Sequence, residues 1–172
     1  MMIRLISPMD AEELFLLVDE NRNYLRKWLP WLDHNKTVDD TREFISTSLC
    51  DYAEQRSMIH VIVDEGRICG VCGFNSINRT IKAGFIGYWI SQQSQGKGLI
   101  SKACIALETI GFDRLELNKI EIHIAQENAS SRAVAEGLNY QNTGIILDAE
   151  WLYNHYVDHA IYCKLNPERV SQ

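Results

Sequence analysis

The run Gln92-Gln93-Ser94-Gln95-Gly96-Lys97-Gly98 stands between an apolar stretch and a helical one. Two glycines let a backbone turn sharply and come close to a ligand. The first amides of the helix that follows have no intrahelical acceptor, and the positive end of the helix dipole backs them. Such a turn can hold an anion and suits a pyrophosphate, to which Lys97 could add a point charge. The run is not a P-loop, because Gly98 stands where Ser or Thr is required and the upstream glycine is missing. It is not a dinucleotide fingerprint either, because Ser101 takes the place of the third glycine. A tight strand-to-helix connection without any ligand would carry the same two glycines.

Other chemistry-bearing residues have plainer readings beside the functional ones. Cys69-Gly70-Val71-Cys72 has the spacing of a redox or zinc pair. In a strand an odd separation sends the two side chains to opposite faces, and no second pair exists, so packed thiols and no metal site are expected. His155 and His159 would chelate only on a helix. Their neighbours Tyr156, Val157, Ile161 and Tyr162 favour a strand, where four residues span about 13 Å. Trp28 and Trp31 either line an acceptor pocket or cap the core. Glu121 and His123 alternate with Ile120, Ile122 and Ile124, so both share the polar side of a strand.

The elements that position these residues follow from caps and periodicity. Met2 to Ile6 reads as a strand, and Ser7-Pro8-Met9-Asp10 opens a helix with a capping residue, a first-turn proline and an acid. Leu14, Leu17 and Val18 supply its apolar stripe. Thr37-Val38-Asp39-Asp40 opens a second helix, with Val38, Thr41, Phe44, Ile45, Leu49 and Tyr52 at helical spacing. Met58–Val63 and Arg67–Phe74 form a hairpin about Asp64-Glu65-Gly66, and Ala83–Ile90 extends it. Leu99–Phe112 is a helix, Lys119–Ala125 a strand, and 129–138 a helix. Strands near 141–148 and 157–164 finish the chain. The order β-α-α-β-β-β-α-β-α-β-β implies an α/β (α+β) fold. Its central sheet is mixed and mostly antiparallel, with about seven strands and helices on both faces. The strand-loop-helix-strand from Ala83 to Ala125 should run parallel.

Length and composition bound the rest. A chain of 172 residues with 46% hydrophobic and 23% charged side chains is expected to form one domain over 1–172, with its core at about 2–166. No apolar run is long enough for a membrane span and no secretory signal is visible. Five scattered cysteines, Cys50, Cys69, Cys72, Cys104 and Cys163, read as free thiols of a reducing, cytoplasmic compartment. A net charge of −6 argues against a nucleic-acid partner and permits a basic peptide or cationic small molecule.

Gln93-x-x-Gly96-x-Gly98 matches the Q/R-x-x-G-x-G/A signature of the GNAT superfamily of N-acetyltransferases. Asn21 to Leu32, Gly87-Tyr88-Trp89-Ile90, Asn128 to Glu136 and Tyr156-Val157-Asp158-His159 resemble its RimL-type branch, the ribosomal-protein-serine acetyltransferases. Leu138-Asn139-Tyr140 departs from the usual Leu-Gly-Phe, though asparagine also tolerates a left-handed helix end. The resemblance implies the GNAT fold, with acetyl-CoA inserted between the fourth and fifth strands. Main-chain atoms of Tyr88, Trp89 and Ile90 would pair with pantetheine, and the amides of Gln95, Gly96, Lys97, Gly98, Leu99 and Ile100 would hold the pyrophosphate. Asn128 and Ser131 match its N-x-x-S, placing Asn128 on the pantetheine arm and Ser131 near the sulfur as a catalytic candidate. The same pair would serve equally as a helix cap with a polar first turn. Glu121 and His123 are the candidates for the base. Ile122 and Ile124 stand at the nearest positions on the strand where some family members carry a cysteine.

The implied activity is direct transfer of acetyl to an amine in a ternary complex, with the N-terminal α-amine of a ribosomal-type protein as acceptor. Alternatives are a small amine (polyamine, amino sugar or drug) or a non-catalytic acyl-CoA sensor. A homodimer is expected by the same resemblance.

Overall fold

The computed structural model describes residues 1–168. In chain order it contains β1 (Met2–Leu5), α1 (Ala11–Glu20), α2 (Arg22–Leu25), α3 (Val38–Ala53), β2 (Met58–Asp64), β3 (Arg67–Asn78), β4 (Ala83–Ile90), α4 (Leu99–Thr109), β5 (Lys119–Ala125), α5 (Ala129–Gly137), β6 (Gln141–Leu152) and β7 (His155–Leu165). Three 3-10 turns, Pro8–Asp10, Pro30–His34 and Gln92–Ser94, join them.

Both expected helix starts form full capping boxes. Ser7 accepts from the Met9 amide while the Asp10 carboxylate accepts from the Ser7 amide; Thr37 accepts from the Asp40 amide while the Asp40 carboxylate accepts from the Thr37 amide. Arg4 clamps Asp10 from the side through two bonds of 2.8 and 2.6 Å. Glu65 and Gly66 turn the β2–β3 hairpin with φ of 49° and 79°, and Asn139 takes φ 63° after α5, as its tolerance for that region allows.

The seven strands form one sheet in the order β1-β2-β3-β4-β5-β7-β6. Only β4 and β5 run parallel; all other neighbours are antiparallel. One face packs on α4 and α5 through Cys72, Phe74, Ile86, Leu107, Ile120 and Tyr162. The other packs on α1 and α3 through Ile6, Leu14, Ile45, Val61 and Val71. A third cluster, Val18, Leu25 and Leu32 with Trp31 and Trp89 against it, ties α2 to β4.

Four departures from the sequence reading have physical causes. Cys69 and Cys72 do not face apart: Val63 pairs with Ile68 and Ile62 with Gly70, so Cys69 is the extra residue of a β-bulge. The bulge resets the alternation, and both thiols join the cluster under α4 while Val71 points the other way. Burial pushes the Cys72 thiol up to about 12. Second, α4 ends at Thr109 and is followed by a π-turn over Ile110–Arg114, where Gly111 lets the chain press against the sheet; an added Cβ there would lie 2.9 Å from Ile120 and Phe74. Third, of the residues at helical spacing on α3, Thr41 and Ile45 are buried whereas Phe44 and Tyr52 are exposed. Fourth, the short α2 and the turn at Pro30 fill the segment between the expected helices. Leu29 is held extended at φ −122° and ψ 110° as the residue before a proline must be.

Candidate active site

Pairing between β4 and β5 is confined to Ala83–Phe85 against Lys119–Glu121. Beyond Phe85 the two strands part, while β4 stays fully paired to β3. The main chain of Gly87 to Ile90 therefore presents its β5 side to a gap rather than to a strand. A cleft of about 1520 Å³ runs through this gap, from the glycine turn at one end to Trp28, Trp31 and His34 at the other.

The turn has the conformation its glycines were expected to supply. Gly96 and Gly98 take φ of 71° and 68°, and Gly98 is the N-cap of α4. A Cβ added to either would meet no atom within 4 Å, so the left-handed backbone, not crowding, selects glycine there. The first helical bond runs from the Lys102 amide to the Gly98 carbonyl at 3.1 Å. That leaves the amides of Leu99, Ile100 and Ser101 without intrahelical acceptors at the mouth of the cleft. Lys97 is exposed and its side chain does not line the cleft.

Two residues that the sequence reading did not single out hold this turn. Asn21 at the end of α1, 4% exposed, accepts from the Gln92 amide at 2.9 Å and donates to the Leu17 carbonyl at 2.8 Å. Gln95 donates to the Tyr24 hydroxyl at 2.5 Å. The bonds from Gln92 and Gln95 tie the glycine turn to the α1–α2 corner, which also lines the cleft. Burial raises the Tyr24 phenol, partly offset by that bond from Gln95, so it stays protonated.

Asn128 caps α5: its side-chain oxygen accepts from the Ser131 amide at 3.2 Å and from the Ser130 hydroxyl at 3.0 Å. The capping role thus stands, and both Asn128 and Ser131 also line the cleft. The Ser131 hydroxyl donates to the Tyr88 phenol oxygen at 3.1 Å, and the phenol donates to the Ser131 carbonyl at 3.1 Å. Tyr88 thereby bridges β4 and α5 across the gap. Burial drives its pKa well above the usual phenol value, against the opposing bond from Ser131.

Glu121 and His123 are brought together, with Glu121 Oε2 3.0 Å from His123 Nε2. Lys119 donates to the other carboxylate oxygen. Burial pushes the Glu121 carboxyl up, but the bonds from Lys119 and His123 outweigh it and hold the group below its ordinary value. Glu121 is therefore an ionised anchor, 13% exposed, whereas His123 is 34% exposed and lines the cleft. With Nε2–H donated to Glu121, the lone pair on Nδ1 is left to accept a proton. Phe85 packs edge-on against the imidazole at 5.6 Å.

The far end is aromatic and acidic. Trp31 sits 6.3 Å from Trp89, and Trp28, Phe44 and Phe85 share the walls. Glu43 and Glu150 line it, with His159 Nε2 3.6 Å from Glu150. Among the described residues no lysine or arginine lines the cleft. The β6–β7 turn closes over this end. The Tyr153 hydroxyl donates to the Leu29 carbonyl at 2.6 Å, and the Arg26 guanidinium lies 3.7 Å from the Tyr153 ring centre.

Known proteins share this architecture. The family model described as an acetyltransferase (GNAT) domain matches residues 1–141. The ribosomal-protein-serine acetyltransferase of Escherichia coli (strain K12) is 28% identical over 155 residues, covering 90% of this chain and 87% of that one. A solved RimL, the ribosomal L7/L12 alpha-N-protein acetyltransferase in complex with coenzyme A, superposes with a TM-score of 0.92 at 26% identity, over 95% of this chain and 92% of that one. The microcin C7 self-immunity acetyltransferase MccE, in complex with acetyl-CoA and AMP, gives 0.90 at 29% identity over the same shares. The match spans most of the chain, and the sheet parts beside the glycine turn that first suggested the resemblance: this chain belongs to the GNAT acetyltransferase family and is an N-acetyltransferase.

Proposed function

We propose that the chain moves acetyl from acetyl-CoA directly onto the N-terminal α-amine of a polypeptide. The observation that carries this reading is the parting of β4 from β5 after Phe85. It brings the glycine turn, the β5-facing edge of β4 and the imidazole of His123 into one cleft, which supports the reading. The groups present fit acetyl-CoA on their own chemistry: the open faces of Gly96 and Gly98 leave room for a diphosphate, and the α4 amides supply donors for it. Gln95, Gly96, Lys97, Gly98, Leu99 and Ile100 would contribute main-chain amides to it. The main chain of Tyr88, Trp89 and Ile90 would take the pantetheine amides as a strand would, and Asn128, its oxygen occupied by the cap, would offer its side-chain NH2. When bound, acetyl-CoA supplies the activated acyl group.

His123, oriented by Glu121, takes the proton from the attacking amine. Its burden is modest for an α-amine, with pKa near 8, of which about a tenth is neutral at pH 7. Fewer than one lysine side chain in a thousand is neutral there. Ser131 donates to the departing sulfur. Trp28 and Trp31 flank the amine's approach. A cleft lined by Glu43 and Glu150, with no lysine or arginine among the described residues that line it, draws in a cationic amine and disfavours an acceptor bearing a phosphate or carboxylate beside it. The chain acts in the cytoplasm, where its thiols stay reduced, and as a homodimer.

The same carboxylates favour a second reading, a small polyamine whose additional ammonium groups pair with them. Thiol release from acetyl-CoA with a panel of peptides and polyamines separates the two. Turnover with peptides bearing free N-termini, absent when those termini are blocked, is expected. Turnover with polyamines alone would favour the second reading, and binding of coenzyme A without turnover of any amine would refute both.

A further inference from the structure

The phenol of Tyr88 lies 3.1 Å from both the hydroxyl and the carbonyl oxygen of Ser131. It sits on β4, in register with Cys72, and reaches across the parted strands to the first turn of α5. Two hydroxyl protons are shared among these oxygens. In the resting arrangement the phenol donates to the Ser131 carbonyl and Ser131 donates to the phenol. Ser131 then has no proton to offer the cleft.

We propose that Tyr88 is a positioning residue for the acetyl transfer, switching its phenol proton from the Ser131 carbonyl to the Ser131 hydroxyl oxygen as the thioester bond breaks. The switch frees the Ser131 proton to turn toward the departing sulfur. No bond to hydrogen breaks within the pair: each hydroxyl keeps its proton and rotates, Tyr88 Oη–H pointing to Ser131 Oγ and Ser131 Oγ–H to the sulfur. The leaving electron pair stays on sulfur, stabilised by a donor that is itself supported by a donor. The Ser131 amide stays bonded to Asn128 throughout, so the backbone does not move. The carbonyl left behind keeps its place in the helix. Burial, which keeps the phenol protonated, makes Tyr88 a donor of hydrogen bonds rather than of protons.

The inference rests on the assignment of Ser131 to the sulfur, and a double-mutant cycle separates the two. Tyr88→Phe keeps the ring and removes only the hydroxyl. It is expected to lower kcat roughly three- to tenfold, the worth of one hydrogen bond, while leaving KM for acetyl-CoA within twofold. In a Ser131→Ala background the same change should cost less than about twofold, because Tyr88 then has nothing to act through. A tie that merely holds β4 to α5 would cost the same in both backgrounds, and that result overturns the proposal. Unchanged kcat in Tyr88→Phe overturns it too. Wild-type turnover by Ser131→Ala would instead remove Ser131 from the reaction.

A readout without turnover is the number of protons released when coenzyme A binds at pH 8, measured by calorimetry in two buffers of different ionisation enthalpy. Acetyl-CoA, which has no free thiol, provides the blank. The wild type should release protons from a bound thiol brought below its usual value of about 8.5, and Tyr88→Phe should release fewer. Equal release by both proteins overturns the proposal. Should the Phe variant melt early, the proton count is taken at a temperature where circular dichroism shows it still folded, and equal release there still refutes the pairing.

Discussion

Replacing Gly98 with alanine isolates what the turn does from what it costs. Gly98 sits at φ 68°, where an L-residue is disfavoured by about 1–2 kcal/mol. A Cβ there meets no protein atom within 4 Å, so no clash adds to that strain. For a chain of this size the melting temperature should fall by roughly 2–8 °C. Gly66 makes the matching control: φ is 79°, a Cβ again meets nothing, and the residue turns the β2–β3 hairpin instead of lining the cleft. The two alanine variants should therefore melt alike and bind coenzyme A differently. On the proposed assignment the new methyl at Gly98 competes with the diphosphate for the open space there, and displacing it by even a small distance weakens several charge-assisted bonds together. Loss of about 1.5–3 kcal/mol, roughly tenfold to more than a hundredfold in Kd, is expected. Titration calorimetry with coenzyme A, beside scanning calorimetry of the same samples, measures both quantities. Equal affinity of Gly98→Ala and Gly66→Ala would refute the assignment of the turn to the diphosphate, whatever their melting points.

Three further outcomes are expected. His123→Asn should lower kcat/KM at neutral pH by roughly a hundredfold or more while leaving coenzyme A affinity intact; steady-state kinetics within threefold of wild type would exclude it as the base. Glu121→Gln should flatten the acid limb of stability: the folded carboxyl titrates below its unfolded value, so its contribution is complete above about pH 4.5 and disappears as pH falls through the folded value. Melting curves from pH 6 to pH 3 should therefore fall less steeply in the variant, and parallel curves would contradict the direction of that shift. Asn21→Ala should weaken coenzyme A binding several-fold without touching it, because the Gln92 amide that starts the turn loses its buried acceptor; unchanged affinity would show that the turn holds its shape unaided.

How much of this was legible in the sequence depends on the range over which each feature is determined. The capping boxes at Ser7 and Thr37, the Glu65-Gly66 turn and the left-handed Asn139 are local, each specified within four residues, and all form as expected. The bulge at Cys69 was invisible because it arises from the registry of two strands, not from the residues between the cysteines. The same holds for Asn21 and Tyr24, whose partners Gln92 and Gln95 lie 71 positions away. Glu121 and His123 could be placed on one side of a strand by alternation alone. That Lys119 would help hold the carboxylate in its ionised form required the side-chain geometry.

The two ends of the cleft differ in kind for a related reason. The glycine-turn end, to which the cofactor is proposed to bind, is built from backbone: glycine dihedrals, helix amides without intrahelical acceptors and a strand edge bared by the parting of β4 and β5. Only a few residue types permit that backbone, so a short motif betrays it. The acceptor end is built from side chains contributed by α2, the Pro30–His34 turn, α3 and the β6–β7 hairpin, held together by Tyr153 on Leu29 and Arg26 on Tyr153. Many side chains are compatible with that scaffold, so its specificity can change without disturbing the grip on the diphosphate. Glu43 and Glu150 stand on different elements, α3 and β6, and are bound to that freedom: neutralising either should alter which amine is preferred while the affinity for coenzyme A stays where the turn sets it.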